Sequence, residues 1–251
     1  MPSYTDEGVV LRTAKLGEAD KIITILTPEH GKIRAVAKGV RRTKSRFGGR
    51  LEPFSRNKFL IFEGRGELQH INQAESLVSY GSSFVEDYDC YIAANVMVEA
   101  VDKLLDSAID MMPSDVRAYY RLLISALASL SRKEHRAEVI ENSFLLRLLA
   151  TGGWSPHLDN CEVCGRQTDL NFFSVQAGGM MCSTDRLLDA REISHESRVQ
   201  LFALLKGRWD LLPETTGKQV LNPDVPEIVE DWLQYYVERP IRSLKLVKSV
   251  L

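Results

Sequence analysis

Three cysteines and an aspartate stand at a spacing that could hold a metal ion. Cys161 and Cys164 form a C-x-x-C pair, seventeen residues separate Cys164 from Cys182, and Cys182-Ser-Thr-Asp185 repeats the two-residue gap. Four-ligand zinc ribbons use this arithmetic with a cysteine in the last place. Here Asp185 stands there. Zinc takes carboxylate oxygen as well as thiolate and imidazole, so three Cys and one Asp can close a tetrahedral, structural site. His157 and His195 are possible substitutes for the fourth ligand, although neither has the knuckle spacing. Gly165 and Gly178-Gly179 suit the tight turns such knuckles need. The competing reading is a ribbon without metal that folds through Trp154, Phe172 and Phe173. Cys90, alone in a helical stretch, reads as a small buried hydrophobe.

The second chemical feature is charge. Lys32, Arg34, Lys38, Arg41, Arg42, Lys44, Arg46 and Arg50 fall in one segment that contains no acidic residue. The segment carries +8 on a chain of net charge −2, which leaves −10 for the remainder. A local positive block on an otherwise acidic chain points to a polyanion site. Each cation that neutralises a phosphate releases a condensed counterion, which drives binding without reading bases. Tyr4, Phe47 and Phe54 are candidate stacking faces, the usual complement of such a groove in single-strand binders. The alternative is a solvated, solubilising loop.

Catalytic templates fail one by one. Gly39-Val-Arg-Arg-Thr-Lys44-Ser45 lacks the second glycine of a phosphate loop, His195-Glu196 lacks the second histidine of a metalloprotease helix, and Gly153-Trp154-Ser155 lacks the closing glycine of a nucleophile elbow. The expectation is a protein without catalytic machinery. The acids Glu86, Asp87, Asp89, Glu99 and Asp102 read as a solvated helix face, and Tyr119-Tyr120, Trp232 and Tyr235-Tyr236 as core.

The elements that must position these residues change grammar near Ser83. Before it, short β-rich runs separated by turn residues predict five strands: Tyr4–Arg12, Lys21–Leu26, Lys32–Lys38, Phe54–Phe62 and one opening at Glu67–Asn72. Glu63-Gly64-Arg65-Gly66 reads as a hairpin turn. In the third strand, period 2 puts Ile33, Ala35 and Ala37 on one face and Lys32, Arg34, Val36 and Lys38 on the other. Such a set suggests a small closed barrel of the OB type, with an SH3-like barrel fitting almost as well.

After Ser83, a Ser83-x-x-Glu86 capping box opens a helix, Ser114-Asp115 a second, and Ile140 to Leu148 mark a third ended by Gly152-Gly153. Further helices follow Ser194 and Pro226. The fold class is therefore α+β multidomain: an OB-fold-like barrel over 1–80, a helical domain over 81–153, a zinc-ribbon-like insertion over 154–190, and C-terminal helices over 191–251 packing on the helical domain. No run approaches the roughly 20 apolar residues a bilayer span needs. Met1–Glu7 has no signal-peptide character, and the cysteines suit a reducing cytoplasm.

Several segments together resemble the RecO family of bacterial recombination and repair proteins. They are Val9–Arg12, Leu16-Gly17-Glu18-Ala19-Asp20, His30-Gly31-Lys32, Ala35 through Arg42, Gly49 through Phe54, the Cys161–Cys182 spacing with Gly178-Gly179, and Ile241-Arg242-Ser243-Leu244-Lys245. The resemblance implies a DNA-binding recombination mediator. It would bind single- and double-stranded DNA, anneal complementary strands and, with RecR, help RecA replace the single-stranded-DNA-binding protein, whose C-terminal tail it would contact. It would work in the cytoplasm at the nucleoid. The family's basic surface maps onto Lys32, Arg34, Lys38, Arg41, Arg42, Lys44, Arg46 and Arg50. Its zinc ligands map onto Cys161, Cys164 and Cys182, with Asp185 in the place of the fourth cysteine. The alternatives from the residues alone are an RNA-binding or translation-associated barrel protein and an unrecognised nucleic-acid-modifying enzyme.

Overall fold

A computed structural model describes residues 2–64, 66–107, 112–215, 218–237 and 239–244. The chain divides into two compact units, one running to Lys133 and including the segment from Arg242, the other spanning Glu134–Ile241.

The first unit opens with five strands: β1 (Ser3–Leu16), β2 (Asp20–Thr27), β3 (Gly31–Ala37), β4 (Ser55–Phe62) and β5 (Gln69–Ser79). They close in the order β1-β2-β3-β5-β4, with β4 returning to β1. All pairings are antiparallel except β3–β5, joined through Ala35 opposite Gln69 and Val36 opposite His70. This order, with its single parallel closure, is the OB-fold, which excludes the SH3-like alternative. Alternation works as expected in β4, where Ser55, Asn57, Phe59 and Ile61 point inward. In β1 a bulge at Leu11 breaks the register, so Val9, Val10 and Leu11 are buried in succession. Of the 63–66 turn, Arg65 lies outside the described residues.

The barrel interior holds Val10, Ile23, Ile25, Phe59, Ile61 and Ile71. Phe47 and Leu51, from the connection after β3, join them, each only 1% exposed.

Helices α1 (Tyr88–Ser107) and α2 (Pro113–Arg132) belong to this unit, α1 packing on β1 and α2 on β2 and β3. The helix expected from Ser83 begins five residues later. Tyr80–Ser83 is a 3-10 turn, and the N-cap is Asp87, whose Oδ1 accepts from Cys90 N at 3.1 Å. Of the acids expected on a solvated helix face, Glu86 and Asp89 are exposed, but Asp102 and Glu99 serve as internal ties. Asp102 is 3% exposed and accepts from Arg12 Nε at 2.6 Å and Lys32 Nζ at 3.0 Å. Glu99 accepts from the backbone N–H groups of Arg242 and Ser243 at 3.0 and 2.9 Å, which ties the Arg242–Leu244 segment to α1. Lys245, the last residue of the tail motif, lies outside the described residues.

In the second unit α3 (Ala137–Thr151) is buried almost all round, and α4 (His195–Lys206) and α5 (Asp224–Val237) pack on it. Ser194 caps α4 by accepting from Ser197 N at 3.0 Å. By contacts, α1 and α2 group with the barrel, and α3 groups with α4 and α5. The physical reason is partner chemistry. The polar groups of α1 and α2 answer residues of the barrel, while the apolar circumference of α3 needs helices on several sides. A three-stranded sheet, β7 (Gly179–Cys182), β6 (Leu170–Ser174) and β8 (Arg191–Glu192), fills the 154–190 region and its edge. It meets α5 through Phe173 and Trp232, whose indole N–H donates to Trp154 O at 3.1 Å.

Two predictions follow from these contacts. Asp102→Ala leaves a poorly exposed Lys32 without its buried partner and is expected to cost about 3 kcal/mol in urea unfolding. Burial, aided by Glu138 and Glu230, pushes the Glu141 carboxyl up to about 8. The fold then holds a proton that the unfolded chain releases, so stability falls as pH climbs from the ordinary carboxylate range through about 8. Glu141→Gln is expected to raise the melting temperature at pH 8 and to flatten its pH dependence.

Candidate nucleic-acid interface and candidate metal centre

The basic segment is a structured connection between β3 and β4. Gly39 turns it with φ +70°, and Gly39 N donates to Asp20 Oδ1 at 2.7 Å. Arg41 N donates to Ala19 O at 2.9 Å, and Arg41 Nη1 to Gly17 O at 3.1 Å. The Gly17–Asp20 turn is thus a clamp for the basic loop. Ser45 Oγ accepts from Phe47 N at 3.2 Å, and Phe47 and Leu51 then enter the barrel on either side of the 3-10 turn Gly48–Leu51.

Burial of the two apolar residues leaves the charged ones outside. Arg34, Lys38, Arg41, Arg42, Lys44, Arg46 and Arg50 are exposed. Among the described residues none of the seven pairs with a carboxylate. Lys32 differs. Its side chain is 12% exposed, and its ammonium meets Asp102 O at 2.7 Å, Asp102 Oδ1 and Asp106 Oδ1. The period-2 assignment of Lys32 to an outward face was correct, but α1 covers that end of the strand with acids.

The expected stacking faces are absent at the three named rings. Phe47 and Phe54 are 1% and 4% exposed, Phe54 lying edge-on to Phe84 and Tyr91. Tyr4 is stacked on His30 at 3.8 Å and hydrogen-bonded to Gln69. Their apolar bodies are worth more in the barrel and under the helices than in water.

The second unit brings together the cysteine set. Ligand atoms of Cys161, Cys164, Cys182 and Asp185 all lie within 4.8 Å of one another. Cys164 Sγ and Cys182 Sγ are 3.8 Å apart. Two thiolates about 2.3 Å from one tetrahedral zinc would be separated by about 3.8 Å. Cys182 Sγ lies 3.2 Å from Asp185 Oδ2. The donor set is therefore compatible with zinc.

The knuckle is built by short backbone bonds: Gly165 N to Cys161 O at 2.9 Å and Cys161 N to Arg166 O at 2.8 Å, with Gly165 at φ +73°. Gly179 is needed for a different reason. A Cβ there would sit 2.2 Å from His157 O, where the 157 and 178–180 backbones cross. His157 pairs with Glu162 at 2.7 Å and His195 lies beside Arg198, and neither stands in the four-residue cluster.

Burial opposes charge on Cys161, but N–H groups of Cys164, Cys182 and Val163, with the Cys164 thiol, converge on its sulfur and lower it to about 7. The Asp185 carboxylate beside Cys164 drives that thiol up to about 12 and is itself held below the usual carboxylate range. A divalent cation among them would replace these shared protons. Cys90 is 5% exposed, and burial pushes its thiol up to about 11, as a packing residue should be.

A five-stranded OB barrel with an exposed cationic loop, joined to helices and a Cys3Asp cluster, places the chain in the class of OB-fold multidomain proteins. Among the described residues no helix is long and apolar enough to cross a membrane. Comparison with known proteins narrows the class. The family model described as "Recombination protein O N terminal" matches residues 1–80, and "Recombination protein O C terminal" matches residues 85–245. The chain is 51% identical over 249 residues to the "DNA repair protein RecO" of Bifidobacterium longum (strain NCC 2705), covering 99% of this chain and 100% of that protein. It is 39% identical over 255 residues to the protein of the same description from Streptomyces coelicolor, again covering 99% of this chain and 100% of that one. The chain belongs to the RecO family of DNA repair and recombination proteins.

For the metal, atomic absorption on protein purified without added metal is expected to find about one equivalent of zinc. Asp185→Ala should release most of it and lower the melting temperature. An unchanged zinc content in that variant would remove Asp185 from the ligand set.

Proposed function

We propose that this protein binds single- and double-stranded DNA through its barrel, anneals complementary strands and, with RecR, helps load RecA onto DNA covered by single-stranded-DNA-binding protein. One observation carries the reading. Seven exposed cations, Arg34 on β3 and the six from Lys38 to Arg50 on the connection that follows it, stand without a carboxylate partner among the described residues of an OB barrel. Membership of the RecO family supports the recombination context, and the relatives' description as DNA repair proteins supports the biological setting.

The mechanism is electrostatic. Annealing needs two polyanions held close together, and a dense set of unpaired guanidinium and ammonium groups screens their repulsion. Contacts to phosphates carry no sequence information, so any two complementary strands can be served. Salt-sensitive, moderate affinity allows the DNA to be handed on. The buried positions of Phe47 and Phe54 favour backbone contacts over base stacking. Lys32, committed to Asp102 and Asp106, is left out of the DNA-binding set, which becomes Arg34, Lys38, Arg41, Arg42, Lys44, Arg46 and Arg50. In this reading the protein performs no covalent chemistry. The tail of the single-stranded-DNA-binding protein is its further partner, and it acts in the cytoplasm at the nucleoid. Zinc, when held by Cys161, Cys164, Cys182 and Asp185, supplies a structural cross-link to the β6–β7 region.

Replacing Arg41, Arg42, Lys44 and Arg46 together by Glu is expected to abolish binding to single-stranded DNA and annealing, with the melting temperature nearly unchanged. For the wild type, contact with about four phosphates gives a slope of about −3 for log K against log salt. Lys32→Ala should do the opposite, lowering stability while leaving that slope in place. Unchanged DNA affinity in the four-fold variant would move the site off this loop.

A further inference from the structure

At the β4–β5 end of the barrel, next to the basic loop, lies an open cavity of about 510 Å³ lined by Ser45, Arg46, Arg50, Ser55, Ser76 and Ser79 with the backbone of Phe47–Gly49. We infer that this cavity seats one internal phosphodiester of the bound strand, gripping phosphate and sugar without touching a base. The inference rests on the DNA-binding reading given above and names what that surface takes at this point.

The lining decides the ligand class. It offers two guanidinium groups and the hydroxyls of Ser45, Ser76 and Ser79, with Ser55 buried at its base, and it contains no carboxylate. That set favours an anion rich in oxygen acceptors. Its one aromatic residue, Phe47, is 1% exposed, with the Arg46 guanidinium over its ring, so no ring is available to stack on a base. A Cβ built at Gly48 or Gly49 would meet no atom within 4 Å, so the backbone there stands open to an approaching group. The volume exceeds a phosphate alone and leaves room for the adjoining sugars. Because the cavity is open, a continuous strand can lie across it.

The site is also preorganised. By simple alternation Ser76 and Ser79 would face opposite sides of β5. A bulge at Leu77, between the pairs Asn57–Ser76 and Arg56–Val78, shifts the register and brings both hydroxyls to the cavity. Arg50 is fixed twice: its carbonyl accepts from Asn57 Nδ2 at 2.7 Å, and its Nη1 donates to Arg46 O at 2.9 Å. Four of the five guanidinium N–H groups of Arg50 remain for a ligand. Arg46 sits over the Phe47 ring at 5.0 Å, which restrains its side chain.

The test uses the full-length protein and an oligothymidylate, with affinity read by fluorescence anisotropy across a salt series. Ser76→Ala with Ser79→Ala removes neutral donors from exposed positions; affinity is expected to fall about tenfold with the salt slope unchanged. Arg46→Gln with Arg50→Gln should reduce the slope by about 0.7, the value for one phosphate on a single strand, because both arginines serve the same group. A 5′-phosphorylated and a 5′-hydroxyl oligonucleotide should bind alike. Wild-type affinity in the serine pair, a slope change of about 1.4 in the arginine pair, or a preference for the 5′-phosphorylated strand would each overturn the inference. If the serine pair is silent while charge reversal at Arg41, Arg42, Lys44 and Arg46 abolishes binding, only the cavity assignment falls. If charge reversal is also silent, the DNA-binding reading falls with it.

Discussion

The burial of Phe47 and Leu51 inside the barrel is the constraint on which the candidate interface depends. Both come from the connection richest in positive charge, and both are 1% exposed. Each apolar side chain so placed contributes roughly 1.5–3 kcal/mol relative to exposure. That gain holds the loop against the mutual repulsion of its cations, which is only partly screened over the 8–10 Å of a physiological Debye length. Without these two anchors the cations would belong to a loose tether. With them, the same chain segment closes the barrel and displays its charges in a defined arrangement. The Gly17–Asp20 turn completes the clamp by binding Gly39 N and Arg41 N.

Charge in the first unit is sorted by what packs over it. Lys32 and Arg12 converge on Asp102, an acid that is almost fully buried, and so hold α1 against the barrel. Among the described residues the cations from Arg34 to Arg50 have no such acid. A chain with a nearly balanced total charge can thereby keep one strongly positive surface, since its acids are spent on internal ties and on other faces. Arg56, which bonds both Glu7 and Tyr120, and Glu99, which holds the Arg242–Leu244 segment, extend the same division of labour.

The second unit solves a separate problem. Its sheet is small, with strands of five, four and two residues, and cannot bury much on its own. Packing of Phe173 on Trp232 supplies one anchor, and the Cys161–Cys164–Cys182–Asp185 cluster supplies a second, built by backbone turns that hold four donors together. Three thiols and a carboxylate form a donor set compatible with zinc.

Much of this was legible in residue order because the signals are local. The period-2 strands, the Ser194 cap, the Gly152 stop and the cysteine spacing each depend on neighbours a few residues away, and the structure has them. So does the recognition of an unopposed basic segment, since charge adds along a chain without reference to folding. What residue order left open was settled by partners distant in sequence. Lys32 looked like its basic neighbours until Asp102, seventy residues on, claimed it. Phe47 and Phe54 looked like stacking faces until the barrel and the Phe84–Tyr91 pair enclosed them. The acids of α1 looked solvated, and the bulge that aligns Ser76 with Ser79 has no motif. Composition and spacing determine which groups exist and which local turns they make. Only the closing of the barrel and the docking of α1 decide which of those groups are used up inside the molecule and which remain for a ligand, because burial and ion pairing are properties of contacts between segments that the sequence does not bring together by itself.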